Sequence, residues 1–559
     1  MNGGAEADFN VSRHLPLRAA DSGDRAAVRV PAAAGGEVAF ADTSFAELER
    51  RAALVAGRMA AAGIRRGTRV LVLARPGLEL IAGVFAILRT GAVPVVIDPG
   101  MGLRGFLRSV RRTGPQAVFG IPRGLWISRV FRGAFRGVRT RIPVRAVSGA
   151  ASGGAGPAFP VVPAAADDPA AILFTSGSTG PAKGVLYRHG MFAAQIDAVR
   201  DRFGIEPGEI DFPMLPVFAL FNPALGMTTV VPPMDPSKPA RADPAKLLKV
   251  MRAAGVTNSF GSPVLWERLV GEGERTSVSV GSLRRILAAG CALPPALAAR
   301  MGGVFPAAAV FSPYGATEAL PLSVIDGGGI AGSAGRAERG GGICVGRPLP
   351  GVGIRIVAVA DGVLDAGRVE PLAAGEVGEI IASGPMVTRE YDRMEEATRR
   401  SKVEWEGRLW HRMGDLGYRD GEGCLWFCGR VVERVVTAEG SVFYPECCEQ
   451  VFNRHPEVYR TALVGLGPEG NRVPAIVVQP RKGAFPRVPD AIDRWVRELR
   501  EIGSRTAGTA PIRHFFFKRD FPVDVRHNAK IHRLALAREF ATHGFHPTQV
   551  AEGGRIRQL

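Results

Sequence analysis

Cysteine is scarce, with six residues irregularly spaced over a chain of 559. That is too few for a disulfide framework at this length. Cys424, Cys428, Cys447 and Cys448 match no zinc-ligand spacing, so they read as free thiols in buried or half-buried positions. Aromatic residues make up only 7%. The arginines are scattered and no nucleic-acid recognition motif is present, so the net charge of +18 does not point to nucleic acid. No apolar run reaches the roughly 20 residues that span a bilayer. Residues 1–8 lack the basic start and apolar core of a secretory signal, and a cytoplasmic location is expected. Hydrophobic residues at 46% and charged residues at 22% are normal for a globular enzyme. The length calls for more than one domain.

One basic segment stands apart. Residues 104–141 carry Arg104, Arg108, Arg111, Arg112, Arg123, Arg129, Arg132, Arg136, Arg139 and Arg141, interleaved with Phe106, Leu107, Trp126, Ile127, Val130, Phe131 and Phe135. The first reading is a solvated basic face. Peripheral contact with anionic lipid, or docking of an acidic protein, fits the same pattern.

Residues 69–74 read as a strand, 78–89 as a helix ending near Gly91, and 93–97 as the next strand, a βαβ unit. Residues 243–255 and 257–260 repeat helix then strand. Residues 283–289 read as a strand entering the loop Gly290-Cys291-Ala292-Leu293-Pro294, and 458–465 and 475–478 are strand-like. The Gly/Ala/Pro-rich stretch 148–165 reads as a surface loop. No internal repeat is evident.

The most informative stretch follows that loop. Ala171-Ile172-Leu173-Phe174 reads as a buried strand delivering Thr175-Ser176-Gly177-Ser178-Thr179-Gly180-Pro181-Ala182-Lys183-Gly184. The glycines allow close approach to a phosphate. The hydroxyls of Thr175, Ser176, Ser178 and Thr179 can donate to its oxygens, and Lys183 adds charge. A Walker A loop needs Gly-Lys-Ser/Thr opening a helix, whereas Gly180 is followed here by Pro181-Ala182.

The order of residues resembles the phosphate loop of the ANL superfamily of adenylate-forming enzymes. Further motifs follow in family order over residues 171–530. Tyr314-Gly315-Ala316-Thr317-Glu318 resembles the segment that stacks adenine on Tyr314, passes Gly315 close to the nucleotide, bonds the α-phosphate through Thr317 and holds magnesium on Glu318. The Gly290-Cys291 loop resembles the one beside the adenine and the acyl pocket. Gly414-Asp415 resembles the segment whose aspartate takes both ribose hydroxyls, and Gly429-Arg430 the pair at the inter-domain hinge. Asn528-Ala529-Lys530 resembles the motif whose lysine reaches the α-phosphate and the acyl carboxylate.

The resemblance implies an α/β fold. A large adenylate-forming domain of βαβ-layered sheets, residues 1–430, would carry the ATP and acyl sites. A small mobile α+β lid, residues 431–559, would carry the catalytic lysine. It implies ATP and Mg²⁺ as cofactors, with Lys530, Thr317 and Lys183 in the chemistry.

Departures from the family pattern narrow the reading. Val432 stands where a polar hinge residue is usual, Val436 where a lysine is, and Cys447 in the Pro445–Glu449 segment where a glutamate is. These changes weaken the case for a CoA thioester step. Tyr314–Pro321 and Val523–Ile531 resemble the β-lactone synthetases of bacterial olefin biosynthesis, the OleC-type enzymes. That resemblance implies a hydrophobic 2-alkyl-3-hydroxy fatty acid whose own hydroxyl attacks the activated carbonyl. It also admits a complex with other olefin-pathway enzymes. His527 is then a candidate base, beside the plainer structural reading of one histidine near a loop. A long-chain acyl-CoA or acyl-AMP ligase is the neighbouring alternative, and a non-catalytic nucleotide-binding scaffold the alternative of another class.

Overall fold

The computed structural model describes residues 8–34, 37–149, 158–175, 182–235, 238–524, 530–541, 548–552 and 555–558. The expected βαβ unit is present. Arg69–Leu73 and Val93–Ile97 are parallel neighbours joined by the helix Leu78–Arg89, which is buried from Ile81 onward. An almost wholly apolar helix requires cover on every side. Here it packs with Phe45, Leu48, Val55 and Phe119 in one core cluster. The unit extends to six strands, in spatial order Thr140–Pro143, Ala117–Gly120, Arg69–Leu73, Val93–Ile97, Pro169–Thr175 and Lys183–Arg188. All pairs are parallel except the last, Pro169–Thr175 with Lys183–Arg188. The two strands that flank the loop expected to cradle phosphate therefore pair antiparallel at the sheet's edge, Thr175 with Lys183.

A second sheet of fourteen strands has two characters. One half is parallel: Thr228–Val230, Ile210–Pro213, Asn258–Gly261, Arg285–Ala288 and Ala309–Ala316 run the same way. The other half is antiparallel, from Ala319–Asp326 through Ile343–Pro348, Leu425–Arg430, Arg408–Arg419 and Gly378–Ser383. The change of direction falls at the hairpin between Ala309–Ala316 and Ala319–Asp326. Sites in α/β sheets lie at the carboxyl ends of parallel strands, where the order switches, and this hairpin is such a point.

Leu425–Arg430 is the last strand of that sheet. Beyond it lie a two-stranded sheet and a five-stranded one, which begins with Val458–Leu466 and Val473–Pro480. The amphipathic helix Pro489–Ser504 covers one face of the five-stranded sheet with Ile492, Trp495 and Leu499, and the helix Arg533–Ala541 covers the other with Leu536 and Phe540.

The six cysteines are free thiols. Among the described residues, the one grouping that could bind a metal is His455, Glu457 and Glu498, without a cysteine.

Candidate active site

The hairpin at the switch point carries Tyr314, Gly315, Ala316, Thr317 and Glu318. Ala316 pairs with Ala319, and a bulge separates it from Tyr314. Gly315 meets a structural requirement in addition to the expected one. A Cβ there would lie 2.4 Å from the Ala319 carbonyl oxygen, so the hairpin's own bulge requires glycine irrespective of a nucleotide.

Three elements converge on the tip. From Lys183–Arg188, the Tyr187 hydroxyl donates to the Thr317 carbonyl at 2.5 Å. From the segment alongside that strand, the Tyr391 hydroxyl donates to Glu318 Oε1 at 2.7 Å. Lys183 Nζ sits 4.7 Å from the Tyr391 ring centroid, a cation over a π face. Burial, reinforced by the Glu318 charge, pushes both phenols well above their ordinary range. Thr388 donates through its backbone N–H and its hydroxyl to the Glu318 carbonyl, at 2.8 and 3.1 Å. Lys402 Nζ in turn donates to the Thr388 carbonyl, and to its Oγ1 at 3.3 Å. Burial lowers the Lys402 ammonium to about 7, opposed by the Glu318 charge. His411, paired across the strands with Lys402, is held neutral by burial and by that neighbouring charge. Sequence reasoning missed Lys402. Its only signal was a lysine entering a strand.

Asp415 and Arg430 face each other across the antiparallel strands. Arg430 Nη1 donates to Asp415 Oδ1 at 2.6 Å, and the Tyr314 hydroxyl donates to Oδ2 at 2.7 Å. Asp415 is buried and the Tyr314 ring half-buried. The aspartate raises the Arg430 guanidinium above its ordinary range, while burial and then Asp415 raise the Tyr314 phenol. Each carboxylate oxygen keeps a lone pair beyond the bond it accepts, so the pair is pre-aligned for two further donors.

Gly290, with φ of +101°, turns the chain at the end of Arg285–Ala288, where a left-handed conformation favours glycine. Burial pushes the adjacent Cys291 thiol up to about 12, opposed by the charge of Lys530. Lys530, from the segment beyond Arg430, thus acts on this loop electrostatically. Its side chain is exposed, and its backbone N–H donates to Asp524 Oδ1 at 2.8 Å. Of the expected site residues, Ser176, Gly177, Ser178, Thr179, Gly180 and His527 lie outside the described residues, as does the Thr175 side chain. The others gather on these loops.

Beside the hairpin lies a pocket with a cavity volume of about 60 Å³, lined by apolar residues that include Val199, Phe203, Phe218, Phe260, Leu287 and Leu320. Asp211, Asn222 and Asn258 form its polar floor. Asn222 and Asn258 donate to the two Asp211 oxygens at 2.9 and 2.6 Å. Burial raises the Asp211 carboxyl to about 6 against those two amides. This triad was not legible beforehand, because its members come from separate strands and a short helix.

Residues 17–392 match the family described as AMP-binding enzyme. The chain belongs to that family. Over 553 residues it is 42% identical to the olefin β-lactone synthetase of Xanthomonas campestris pv. campestris, covering 94% of this chain and 97% of that protein. It is 40% identical to the protein of the same name from Stenotrophomonas maltophilia, covering 94% and 97%. In fold it is similar to ATP-bound MatB from Rhodopseudomonas palustris, with a TM-score of 0.78, 22% identity and coverage of 96% and 99%. The Bacillus subtilis o-succinylbenzoate CoA synthetase in complex with AMP gives 0.74, 22%, 95% and 98%. This AMP-binding enzyme is therefore an adenylate-forming ligase and uses ATP. No helix among its described residues is long and apolar enough to cross a membrane.

Proposed function

We propose that this protein activates a 2-alkyl-3-hydroxy fatty acid as its acyl-AMP and closes it to a β-lactone. The likeness to olefin β-lactone synthetases over nearly the whole chain carries this reading. The apolar pocket beside Thr317 and Glu318 suits an alkyl chain.

A carboxylate oxygen of the acid attacks the α-phosphorus of ATP and pyrophosphate leaves. Lys183, Lys530, Thr317 and the 175–180 loop are assigned to the negative charge that gathers there. Asp415 and Arg430 are assigned to the ribose. The Gly290-Cys291 loop, Tyr314, Gly315 and Ala316 are assigned to adenine. Glu318 fits a magnesium ion: Tyr391 bonds Oε1, no hydrogen bond from the described residues reaches Oε2, and this ion commonly takes one or two carboxylates plus substrate phosphates. When bound it would neutralise phosphate charge. In the second step the 3-hydroxyl oxygen bonds C1, the C1–O bond to AMP breaks, and the hydroxyl proton passes to His527. A tethered hydroxyl competes well, since effective concentrations of oriented groups reach on the order of 10⁵ M or more.

The domain division is placed after Arg430, supported by the change of sheet there. Val432, 45% exposed in the turn Val431–Glu433, stands at that hinge without a charged group. Within the same reading, the protein works in a complex with other olefin-pathway enzymes, and in the cytoplasm. Its segment 104–141 contacts anionic lipid at the surface: Trp126 and Val130 are each more than half exposed, as is the adjoining Leu103, among the exposed Arg104, Arg108, Arg123 and Arg129.

The test is incubation with ATP, Mg²⁺ and a 2-alkyl-3-hydroxy acid, with and without CoA, and identification of the product by NMR. A β-lactone with CoA unconsumed is expected. An acyl-CoA as the sole product would replace the reading with that of a CoA ligase.

A further inference from the structure

The acyl pocket has a fully buried acceptor without a partner among the described residues. Gln195 lies on the helix His189–Phe203, one turn before Val199 and two before Phe203. All three line the pocket, as residues four apart share a helix face. Gln195 is 4% exposed. Its Nε2 donates to the Leu320 carbonyl at 2.7 Å, which fixes the amide so that Oε1 is the acceptor. That oxygen is buried and, among the described residues, has no hydrogen-bond partner. The other polar side chains of the pocket are engaged: Asp211 takes Asn222 and Asn258, Asn222 also donates to Thr229 Oγ1, and Asn258 Oδ1 accepts from Arg285. Buried polar atoms are nearly always paired, and an unpaired acceptor disfavours an empty or wholly apolar filling of its surroundings.

Its position says what would pair with it. Leu320 is two residues beyond Glu318 and three beyond Thr317. Tyr187, which holds the Thr317 carbonyl, feels the Gln195 amide. Gln195 thus stands where the pocket meets the segment assigned to the reacting carboxyl. A chain bound with its carboxyl at Thr317 and its alkyl groups among Val199, Phe203 and Phe260 passes this acceptor within its first few carbons. An unsubstituted fatty chain offers no donor there. A hydroxyl on C3 does.

We propose that Gln195 Oε1 accepts a hydrogen bond from the 3-hydroxyl of the substrate, selecting hydroxy acids and orienting the nucleophilic oxygen. This rests on the lactone-forming reading above. An amide oxygen is too weak a base to remove the proton, so Gln195 orients the O–H and takes no proton. Sites built to bond a hydroxyl reject the analogue lacking it, because the protein group is then stranded.

The experiment uses acyl-sulfamoyl-adenosine analogues that differ only at C3, bearing hydroxyl, hydrogen or fluorine. Fluorine is close in size to hydroxyl and cannot donate. With the full-length wild type, calorimetry should show the hydroxy compound binding on the order of tenfold to a hundredfold more tightly than either other compound. In Gln195→Met that ratio should fall toward one. In Gln195→Glu, which keeps a stronger acceptor, it should persist or grow, and this variant decides the matter if the methionine one does not fold. Equal wild-type affinities, a ratio that survives in Gln195→Met, or one that vanishes in a folded Gln195→Glu would each overturn the proposal. A lactone product with no such ratio removes Gln195 alone. A ratio without any lactone removes the lactone reading and leaves the hydroxyl contact.

Discussion

Arg533 holds both carboxylate oxygens of Glu449, with Nε at 2.7 Å from Oε1 and Nη2 at 2.6 Å from Oε2. The same guanidinium reaches Glu446 at 2.9 Å and Glu433, in the turn Val431–Glu433, at 3.0 Å. Arg533 stands three residues after Lys530, so the segment that follows the lysine is tied to the helix Pro445–Phe452 and to the turn Val431–Glu433 together. The charges of Glu449, Glu446 and Glu433 raise the buried Arg533 above its ordinary range. Burial raises Glu449 to about 7, opposed by Arg533.

Removing that cation strands three carboxylates in a buried site. Arg533→Met should destabilise the protein by about 3–5 kcal/mol, the usual cost of breaking a buried pair from one side. Urea denaturation measures it. Pyrophosphate release from the remaining folded protein should also fall, because Lys530 loses its anchor. Unchanged stability would mean that the four-residue cluster does not hold the loop.

The ribose assignment makes a separate claim. Asp415 already accepts one bond on each oxygen, so a nucleotide without ribose hydroxyls leaves the second lone pairs buried and unpaired. ATP should be used far better than 2′,3′-dideoxy-ATP, by a factor on the order of a hundred. Comparison of kcat/KM for the two nucleotides checks this. Equal use of both would remove Asp415 from the ribose site.

Much of this arrangement was legible because it is local. The helix expected over 78–89 and the strand over 93–97 coincide with Leu78–Arg89 and Val93–Ile97, since an unbroken apolar run bounded by glycine or proline needs no distant partner to be recognised. The strand expected over 283–289 is shorter, Arg285–Ala288, because its length is set by pairing with Asn258–Gly261 and Ala309–Ala316. The motif residues could be read one by one, but not their supports. Tyr187, Tyr391 and Lys402 brace Thr317 and Glu318 from up to 130 residues away in sequence. Gln195 looked like any polar residue on a helix whose face toward the pocket no periodicity could reveal. The structural need for Gly315 was hidden for the same reason: the atom it avoids, the Ala319 carbonyl, is defined only once the hairpin closes.

Histidine 189 gives a pH test. It is buried, its Nδ1 accepts the Val11 N–H at 3.3 Å, and burial lowers it to about 4, with the Asp168 and Asp8 charges opposing. The folded state holds the neutral ring, whereas the unfolded chain takes a proton below about pH 6.5. Its contribution is complete above that pH and is lost as pH falls toward 4. The cost of His189→Gln, measured by urea denaturation, should therefore shrink by about 2–3 kcal/mol between pH 7.5 and 4.5. A cost independent of pH would show that the ring is not held neutral.

Lipid contact through residues 104–141 predicts salt-dependent binding. The full-length protein should sediment with anionic vesicles and not with neutral ones, and Trp126→Asp should weaken binding on the order of tenfold by removing the inserted ring. Binding unaffected by that substitution, or no binding at low salt, would return the segment to a solvated basic face.

The last residue assigned to the α-phosphate is Lys530. Its side chain is exposed and its charge acts on Cys291, so its removal leaves no cavity and little loss of packing. A single charge placed where a transition state gathers negative charge is worth about 3 kcal/mol, roughly a hundredfold in rate. Lys530→Ala should therefore cut acyl-adenylate formation by that order while the urea midpoint stays the same. Glu318→Ala should lose a similar factor, and magnesium should no longer raise its rate as steeply. The two variants should differ in a way that can be read out: Glu318 is braced by Tyr391 and Thr388, so its loss also disturbs the hairpin, whereas the exposed Lys530 side chain is assigned to the bound reactants alone. A folded Lys530→Ala protein turning over near the wild-type rate would sink the assignment of that lysine to the α-phosphate.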